Sequence, residues 1–399
     1  MTSTLARVVL RPRRARPFFA RHPWVFEASI ERVLGDPKPG DEVVVVSHEK
    51  QFVARGLFNP SSSIRVRLYR WEDAELDDEF WSSRVAAAVR LRRDVLGLLR
   101  PRAAARLVFS EGDGLSGLTV DRYDDRLVAS FSSRAMFARR GLLVDLLRGE
   151  TGLTRILTRV DKSTSKPEGL LGIADSVQGD WPEGPVEVVE HGLTYRVDIQ
   201  AGQKTGFYLD QRENRRAVAH YCRGRRVLDL FCYAGGFALT ASRHGKASEV
   251  FGVDGSAGAI EAATENALRN EVTNAKFEVG DVFEALKELR SRGERFGVVI
   301  CDPPKFAKHA GAVDDALKGY LRLNRMALEV LEPEGVLATC SCSGLVDRGL
   351  FLAVLGQAAE LSGRTIQLLE QRGQAADHPV SVSCLESDYL KCMIARVSA

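Results

Sequence analysis

The chain of 399 residues is too long for one ordinary hydrophobic core, so we expect two or three domains. With 45% hydrophobic and 27% charged residues, its composition is typical of a soluble globular protein, and no apolar run approaches the roughly 18 residues of a membrane-spanning helix. The net charge of +3 is nearly neutral, but arginines are concentrated in two stretches, residues 1–26 and 84–106.

Residues 1–72 are predicted to form a small β-rich domain. The strand-like runs are Asp41–Val46, Phe52–Leu57 and Ile64–Leu68, separated by turn-forming residues. No acidic residue precedes Glu27, and guanidinium groups clamp phosphates and stack on bases, so this stretch favours a polyanionic partner. We predict that Arg13 and Arg14 bind RNA. Solvated arginines without a partner are the alternative interpretation.

Residues 73–200 are predicted to form a small α/β domain. Apolar residues at helical spacing predict helices over 78–100 and 134–148. The strand candidates are Leu127–Phe131, Arg155–Val160 and Thr194–Ile199. Between residues 84 and 106, seven arginines stand against Asp94 alone, which repeats the basic character of the first stretch.

Residues 201–399 alternate strand-like and helix-like segments. The strand candidates are Arg226–Leu230, Glu249–Val253, Ala275–Val279, Val298–Cys301, Val336–Cys340, Thr365–Leu369 and Leu390–Arg396. This rhythm predicts an α/β fold with a doubly wound, mainly parallel sheet of seven strands. Such sheets bind their ligands at the carboxyl ends of the strands, near the point where the strand order reverses.

The first of these strands leads into a glycine turn, Asp229-Leu-Phe-Cys-Tyr-Ala-Gly-Gly236. The turn departs from the Gly-x-Gly-x-x-Gly pattern of dinucleotide sites. It suits a ligand with an amino-acid moiety and a ribose, because Asp229 is placed to bind an ammonium group and Gly235 allows a close backbone approach. We therefore predict S-adenosylmethionine as the cofactor, and include Phe231 and Tyr233 in its site.

Two further strands also end in carboxylates. Asp254 is placed to accept hydrogen bonds from both ribose hydroxyls, with Ser256 beside it. Asp281 is placed to accept one from the adenine amino group, with Val282 or Phe283 next to the ring. Each acid alone reads as an ordinary loop residue, but three acids at three consecutive strand ends after a glycine turn indicate an adenosylmethionine site.

The fourth strand runs into Cys301-Asp-Pro-Pro-Lys-Phe306. Two consecutive prolines hold a rigid, extended turn. We predict that this turn presents Asp302 as a residue that both binds the cofactor and takes part in catalysis. Lys305 and Phe306 are predicted to contact the RNA, with Phe306 against a flipped base. A loop without a chemical role is the alternative.

The fifth strand ends in Thr339-Cys-Ser-Cys-Ser-Gly344. A thiolate that adds to C6 of a pyrimidine makes C5 a nucleophile toward a methyl donor. Strand alternation puts Cys340 and Cys342 on one face, so the pattern alone does not choose between them. We predict Cys342 as the nucleophile because it lies further into the loop. Companion ligands at zinc spacing are missing, so no metal is predicted.

Seven cysteines are scattered along the chain without tandem Cys-x-x-Cys spacing. This distribution favours reduced thiols over a disulfide framework, and so predicts a cytoplasmic protein.

Together these motifs resemble the bacterial 23S ribosomal RNA cytosine-C5 methyltransferases that carry an N-terminal PUA domain. The resemblance extends over essentially the whole chain. Besides the motifs above, it is carried by His22-Pro-Trp-Val-Phe26, Glu111–Arg122 and Gln203–Arg212. It implies a PUA-like barrel, a small α/β middle domain and a Rossmann-like, class I methyltransferase domain. It also implies 23S rRNA as the partner, with no membrane association, and we allow for a homodimer.

The Gln203–Arg212 motif contains two further basic candidates. Lys204 and Arg212 are predicted to contact RNA phosphate or the cofactor carboxylate. A structural role in docking the middle domain is the alternative.

Several alternatives stay open at this point. Many RNA cytosine-C5 enzymes carry a second cysteine after the proline of the fourth-strand motif, where this sequence has Pro304 and Lys305. The base that removes the C5 proton is therefore unassigned, with Asp302 as the candidate. Related proteins methylate guanine at N7 or N2 without a cysteine nucleophile. An inactive RNA-binding scaffold and a small-molecule methyltransferase are the alternatives from other classes.

Overall fold

The computed structural model describes residues 5–200, 206–307 and 310–399. The chain folds as two compact units. Unit 1 comprises Met1–Val186, Asp198–Phe207 and Ala376–Ser387, and unit 2 comprises Glu187–Val197, Tyr208–Ala375 and Asp388–Ala399. None of the helices in the described ranges is long and apolar enough to cross a membrane.

The first sheet of unit 1 has six strands. They are β1 (Ala6–Leu10), β2 (Trp24–Phe26), β3 (Ile30–Leu34), β4 (Glu42–Val46), β5 (Phe52–Phe58) and β6 (Ile64–Arg70), with a short helix α1 (Arg16–Phe19) after β1. The order is β2-β6-β5-β4-β1-β3, and only β1 and β4 pair in parallel. Inward-facing valines such as Val8, Val43 and Val45 fill its core. The three strands predicted in this region are confirmed as β4, β5 and β6.

A second sheet of unit 1 has the order β11-β10-β9-β8-β7. The strands are β7 (Ala104–Phe109), β8 (Leu118–Tyr123), β9 (Arg126–Phe131), β10 (Arg155–Val160) and β11 (Ser176–Gln178), and the helices are α2 (Asp78–Arg90), α3 (Arg134–Ala138), α4 (Arg140–Thr151) and α5 (Ser165–Glu168). The Asp77 side chain caps α2 by accepting a hydrogen bond from the Phe80 N–H. Trp81 of α2 packs in one core with residues of both sheets.

Both predicted helices of this region were wrong in extent. The α-helix over 78–100 ends at Arg90 and continues as a π-helical turn, Leu91–Val95. The turn brings Arg92, which is fully buried, to donate hydrogen bonds to Asp113 and to the Asp377 carbonyl. The helix over 134–148 is two helices, α3 and α4, interrupted at Arg139, whose φ and ψ of −97° and 10° are not helical.

Unit 2 contains a β-hairpin and a seven-stranded sheet. The hairpin consists of β12 (Val186–Glu190), which belongs to unit 2 from Glu187 onward, and β13 (Leu193–Val197). The strands of the sheet are β14 (Arg226–Leu230), β15 (Glu249–Asp254), β16 (Ala275–Val279), β17 (Phe296–Cys301), β18 (Leu331–Ser341), β19 (Thr365–Arg372) and β20 (Lys391–Ser398). The helices are α6 (Arg212–Ala219), α7 (Gly236–Arg243), α8 (Ala257–Arg269), α9 (Val282–Ser291), α10 (Val313–Val330) and α11 (Arg348–Ser362). All seven predicted strands are confirmed.

The strand order of this sheet is β16-β15-β14-β17-β18-β20-β19. The first five of these are parallel, and β20 runs antiparallel to both β18 and β19. The order reverses between β14 and β17, and in such sheets a ligand crevice opens outside the carboxyl ends of the strands at that point. The predicted class of fold, a mainly parallel doubly wound sheet preceded in the chain by a β-rich N-terminal domain, is confirmed.

The division into domains 1–72, 73–200 and 201–399 remains our proposal. The predicted strand over 194–199 is observed as β13, whose backbone bonds to the Asn266 and Asn270 side chains of α8. The hairpin therefore packs within unit 2.

A buried ion pair fastens the hairpin to α6. Arg215 binds Glu190 with two parallel hydrogen bonds of 2.7 Å, and the two residues are 3% and 7% exposed. The same arginine lies against Gly236, where an added Cβ would come within 3.0 Å of its Cδ. The pair thus supports the glycine turn that follows β14.

We expect Glu190→Gln to lower the free energy of unfolding by roughly 3 kcal/mol, because it leaves a buried guanidinium without its counter-charge. Urea denaturation followed by circular dichroism measures this change. The matched control is Glu187→Gln on the same strand, since Glu187 forms an exposed pair with Arg269, for which we expect less than about 1 kcal/mol. Equal losses in the two variants would contradict the assignment.

Candidate active site

The predicted site residues of unit 2 come together along one edge of the seven-stranded sheet. Asp229 lies in β14 and Asp254 ends β15. Asp281, Asp302 and Cys342 follow β16, β17 and β18. Because these five strands are parallel, their carboxyl ends share this edge, as the sequence predicted.

The turn after β14 has an unusual backbone. Phe231, Tyr233 and Gly235 have φ values of +62°, +47° and +80°. Left-handed conformations are costly for side chains as large as phenylalanine and tyrosine, and such strain persists mainly at ligand sites. At Gly235 a Cβ would come within 3.3 Å of the Ala263 Cβ, so the turn is packed tightly against α8. Phe231, Tyr233 and Gly235 thus lie in one tight turn, and their contact with the cofactor remains a prediction.

Asp229 is fully buried at this turn. Its Oδ2 accepts a hydrogen bond of 2.9 Å from the Ala238 N–H, while its Oδ1 has no partner among the described residues. Burial raises the pKa of the Asp229 carboxyl well above its usual range, and the charges of Asp302 and Asp254 act in the same direction. An unsatisfied buried carboxylate oxygen costs free energy, so Asp229 fits a ligand ammonium group, such as that of adenosylmethionine.

Asp254 is half-buried and organises the neighbouring loop. Its Oδ2 accepts from the Tyr233 N–H at 3.0 Å, and its Oδ1 from the Ser256 N–H at 2.9 Å. Each carboxylate oxygen has two lone pairs, so both oxygens can still accept from a pair of ribose hydroxyls. The Ser256 hydroxyl itself caps α8 through the Ala259 N–H.

Asp281 is exposed and caps α9. Its Oδ1 accepts hydrogen bonds from the Phe283 and Glu284 N–H groups. Oδ2 is therefore the oxygen that we expect to make the predicted adenine contact. The Val282 side chain is only 3% exposed and packs in the core under the sheet. The predicted contact of Val282 with adenine remains a prediction.

Asp302 follows β17 and is held by a side chain that the sequence analysis did not single out. Its Oδ1 accepts from the Gln211 amide at 3.0 Å. Gln211 is 2% exposed, and its own carbonyl accepts from Asn214 at 2.6 Å. Arg372 in turn donates to Asn214. This chain of hydrogen bonds fixes the direction of the Asp302 carboxylate.

Tyr208 is a second residue that the sequence analysis missed. Burial, followed by the charges of Asp302, Tyr233 and Cys342, raises its pKa. Its ring meets that of Tyr233 edge to face, with centroids 5.2 Å apart. Tyr208 and Gln211 both lie in the Gln203–Arg212 motif, so the motif was a signal, although nothing in it distinguished these two positions.

The two cysteines after the fifth parallel strand differ in environment. Cys340 is 1% exposed and lies opposite Cys392 on β20. Hydrogen bonding to Cys392 and burial raise the pKa of the Cys340 thiol well above its usual range. Cys342 is half-buried, with its Sγ 4.0 Å from the Pro303 carbonyl oxygen. The greater accessibility expected for Cys342 is confirmed.

The loop that carries Cys342 is anchored by hydroxyl groups. Tyr320 of α10 contacts the Ser341 and Ser343 hydroxyls at 3.0 and 3.2 Å. The Ser343 hydroxyl also accepts from the Ala307 N–H at 3.3 Å, which ties this loop to the one containing Asp302. The two loops that bear the predicted catalytic groups are therefore joined at their bases.

Lys391 is a third residue that the sequence analysis did not identify. It begins β20 with its side chain inside the protein, 2% exposed. Its ammonium group donates to the carbonyl oxygens of Ser343 and Tyr389 at 2.7 and 2.8 Å. A lysine directly before the apolar run Cys392–Ala395 of a predicted strand was the available signal.

The predicted RNA-binding residues have varied surroundings. Arg13 and Arg14 are exposed on unit 1. In unit 2, Lys305 is exposed and Phe306 is half-buried against Tyr320, with ring centroids 4.7 Å apart.

Of the two basic residues predicted in the Gln203–Arg212 motif, the structure describes Arg212. Arg212 is 5% exposed, with its Nε 3.8 Å from Glu190. This burial favours the cofactor carboxylate or a structural role over RNA phosphate. Lys204 lies outside the described residues.

One group of metal-ligand side chains occurs in unit 1, formed by His22, Cys384 and Glu386, with ligand atoms within 4.8 Å of one another. The His22 Nδ1 accepts from the Trp24 N–H at 3.3 Å, so a neutral ring carries its proton on Nε2, which lies 3.4 Å from Glu386. Cys384 lies 3.4 Å from the same carboxylate. The three side chains therefore form a hydrogen-bonded cluster, and we assign no metal to them.

Two family models match separate parts of the chain, and similar proteins match nearly all of it. Residues 174–376 match the model of the S-adenosylmethionine-dependent methyltransferase family, and residues 8–71 match that of a PUA-like domain. The chain is 40% identical to a ribosomal RNA large subunit methyltransferase I from Tolumonas auensis, over 98% of both chains. It is 42% identical to that of Photobacterium profundum, over 93% of this chain and 94% of the relative.

Solved structures share the fold. A Streptococcus mutans protein superposes with a TM-score of 0.84 at 19% identity, over 98% of this chain and 100% of that chain. A crystal structure of a protein complexed with SAH gives a TM-score of 0.86, also at 19% identity and with the same coverage.

We expect Asp254→Ala to weaken binding of S-adenosylmethionine by about 1–3 kcal/mol, because charge-assisted hydrogen bonds to the ribose hydroxyls are lost. Isothermal titration calorimetry measures the affinity, and circular dichroism checks the fold. Glu249→Ala at the other end of β15 is the control, since Glu249 pairs with Arg226 at the surface. Unchanged affinity in folded Asp254→Ala would remove this carboxylate from the cofactor site.

Proposed function

The chain belongs to the family of S-adenosylmethionine-dependent ribosomal RNA large subunit methyltransferases I, and we propose that it methylates 23S rRNA in the cytoplasm, at C5 of a cytosine. The cofactor follows from the family and fits the Asp229 oxygen that has no partner within the described ranges. The base and the position on it are our inference from the thiol. A homodimer is not part of the proposal.

The observation that carries the C5 assignment is the environment of Cys342. Methylation at a guanine nitrogen needs no thiol, because the nitrogen lone pair is itself the nucleophile. C5 of cytosine is a poor nucleophile until a group adds to C6. A partly accessible thiol at the carboxyl end of β18, at the same sheet edge as Asp229 and Asp254, is the group that such an addition requires.

In the proposed reaction, the Cys342 thiolate adds to C6 of the cytosine and shifts electron density to C5. Bound adenosylmethionine supplies an electrophilic methyl group. After C5 has been methylated, its proton must be removed, so that the C6–S bond breaks and the thiolate leaves. The chain's own residues supply the thiolate, the position of the base and the acceptor of that proton.

Asp302 is the proposed acceptor of the C5 proton. It stands directly before Pro303, whose carbonyl oxygen lies 4.0 Å from the Cys342 sulfur. The hydrogen bond from Gln211 holds its carboxylate in one orientation. The proposed nucleophile and the proposed proton acceptor therefore lie on neighbouring loops, which the hydrogen bond between Ala307 and Ser343 connects.

Cys342→Ala should lower methyl transfer by several orders of magnitude while leaving cofactor affinity intact, because the thiol acts in the chemistry and not in the adenosine pocket. Cys340→Ala should retain activity and lose about 1 kcal/mol of stability, as expected for a small buried side chain. Transfer of labelled methyl groups from the cofactor to a 23S rRNA fragment measures the rates.

RNA that contains 5-fluorocytosine gives a direct readout, because the fluorine cannot leave as a proton does. We expect a covalent adduct with the wild type and with Cys340→Ala, and none with Cys342→Ala. Adducts that depend on Cys340 would exchange the two roles. Full activity in the double variant would contradict covalent catalysis and favour methylation of guanine at N7 or N2.

The exposed arginines of unit 1 suit an RNA partner. Replacing Arg13 and Arg14 together with glutamate should raise KM for RNA more than it lowers kcat. It should also reduce the dependence of log K on log salt concentration by about 2, since about two phosphate contacts are lost.

The control for this charge reversal makes the same change at Arg290, in the last turn of α9, and at Arg292, which caps the end of that helix. Both are exposed and already paired with glutamates. RNA titrations at several salt concentrations compare the two double variants. Equal effects would show that only net charge matters, which contradicts a specific role for Arg13 and Arg14.

A further inference from the structure

Lys391 is unusual because its ammonium group is buried. A buried ammonium group is costly unless an opposite charge compensates it. Lys391 is 2% exposed, yet its nitrogen has no carboxylate within 4.0 Å in the described parts of the chain. Its hydrogen bonds go to two neutral acceptors, the carbonyl oxygens of Ser343 and Tyr389.

The position of this cation is set by the Cys342 loop. The 2.7 Å hydrogen bond to Ser343 reaches the residue directly after Cys342. The bond to Tyr389, two residues before Lys391, keeps the ammonium at the start of β20. In the antiparallel pairing of β18 with β20, Lys391 lies opposite Ser341, the residue directly before Cys342. Lys391 thus pairs through its strand with the residue before the thiol and binds through its ammonium group the residue after it.

Charged and titratable groups from several segments lie around Lys391 and Cys342, among them Asp302, whose charge acts on Tyr208 together with that of Cys342. Burial lowers the pKa of Lys391 to about 8, and of the opposing charges Cys342 contributes most, ahead of Asp388 and Asp347. Arg348 adds to the lowering. Besides Lys391, the titratable groups that interact with Cys342 include Tyr208 and Tyr320, which are neutral phenols near pH 7.

We propose that Lys391 is a positioning residue that holds Cys342 in the thiolate form. The thiol loses its proton to solvent, and the negative charge on sulfur then compensates the buried ammonium. A thiolate, and not a thiol, is the nucleophile that adds to a pyrimidine. The inference builds on the proposed role of Cys342, and it explains how a half-buried thiol is activated.

The test is the pH dependence of Cys342 alkylation by iodoacetamide, without RNA or cofactor. The other six cysteines are buried, and mass spectrometry of the peptide containing Cys342 assigns the modification. We expect the wild type to show an apparent pKa at least about one unit below the 8.5 of an ordinary thiol. In Lys391→Met it should rise by about 1–2 units, with alkylation at pH 7 about tenfold slower.

Two further variants keep the test decisive. Lys391→Arg retains the positive charge and should keep the low apparent pKa. Arg396→Met removes an exposed cation from the same strand and should change nothing. If Lys391→Met fails to fold, the wild type and Lys391→Arg still decide. A wild-type apparent pKa of 8.5 or above, or identical profiles for wild type and folded Lys391→Met, would overturn the proposal.

The outcome is separable from that of the proposed function. Alkylation requires neither substrate, so it reports on Lys391 alone. If Cys342→Ala abolishes methyl transfer while Lys391→Met leaves the alkylation profile unchanged, the function stands and the role of Lys391 falls. If Lys391→Met shifts the profile and Cys342→Ala remains fully active, the activated thiol stands and covalent catalysis falls.

Discussion

A buried carboxylate at the point where the strand order reverses is the constraint on which the site in unit 2 depends. Asp229 lies between β15 and β17, fully buried and with one oxygen unpartnered in the described chain. Leaving a charge in such a place is unfavourable unless a cation arrives. The strained turn after β14 and the Arg215–Glu190 pair behind it keep that carboxylate and its surroundings in place. The strained turn and the buried carboxylate thus lower the local stability of this region and prepare it to bind a charged ligand.

Near the Cys342 loop the arrangement is similar, but the buried group carries a positive charge. Lys391 brings a positive charge into the interior next to the Cys342 loop, and its hydrogen bonds are only to carbonyl oxygens. One site therefore holds a buried acid that suits a cationic ligand and a buried ammonium group that, in our proposal, compensates an anionic sulfur. Hydroxyl and amide contacts through Tyr320, Ser343 and Gln211 fix the loops between them. Such supporting contacts determine geometry more than stability.

Much of the fold followed from local pattern. Each strand of the large sheet is a short apolar run bounded by turn residues, so all seven were predicted. The mainly parallel pairing followed from the helices between most of them. The helix over 78–100 was extended too far, because the π-helical turn at Leu91–Val95 depends on the burial of Arg92 against Asp113 and Asp377. Those partners are about 20 and 285 residues away in sequence, beyond the reach of any periodicity.

The sequence by itself determined which chemical groups stand at the strand ends. Asp229, Asp254, Asp281, Asp302 and Cys342 were identified because a residue's position after a buried strand is a local property of the chain. Tertiary structure alone decided their environments. Only the pairing of β18 with β20 buries Cys340 against Cys392 and places Lys391 beside the Cys342 loop, and only the packing of α6 brings Gln211 to Asp302. Burial and charge compensation depend on contacts between segments that are distant in sequence. They determine the reactivity of these groups, but no local sequence pattern predicts them.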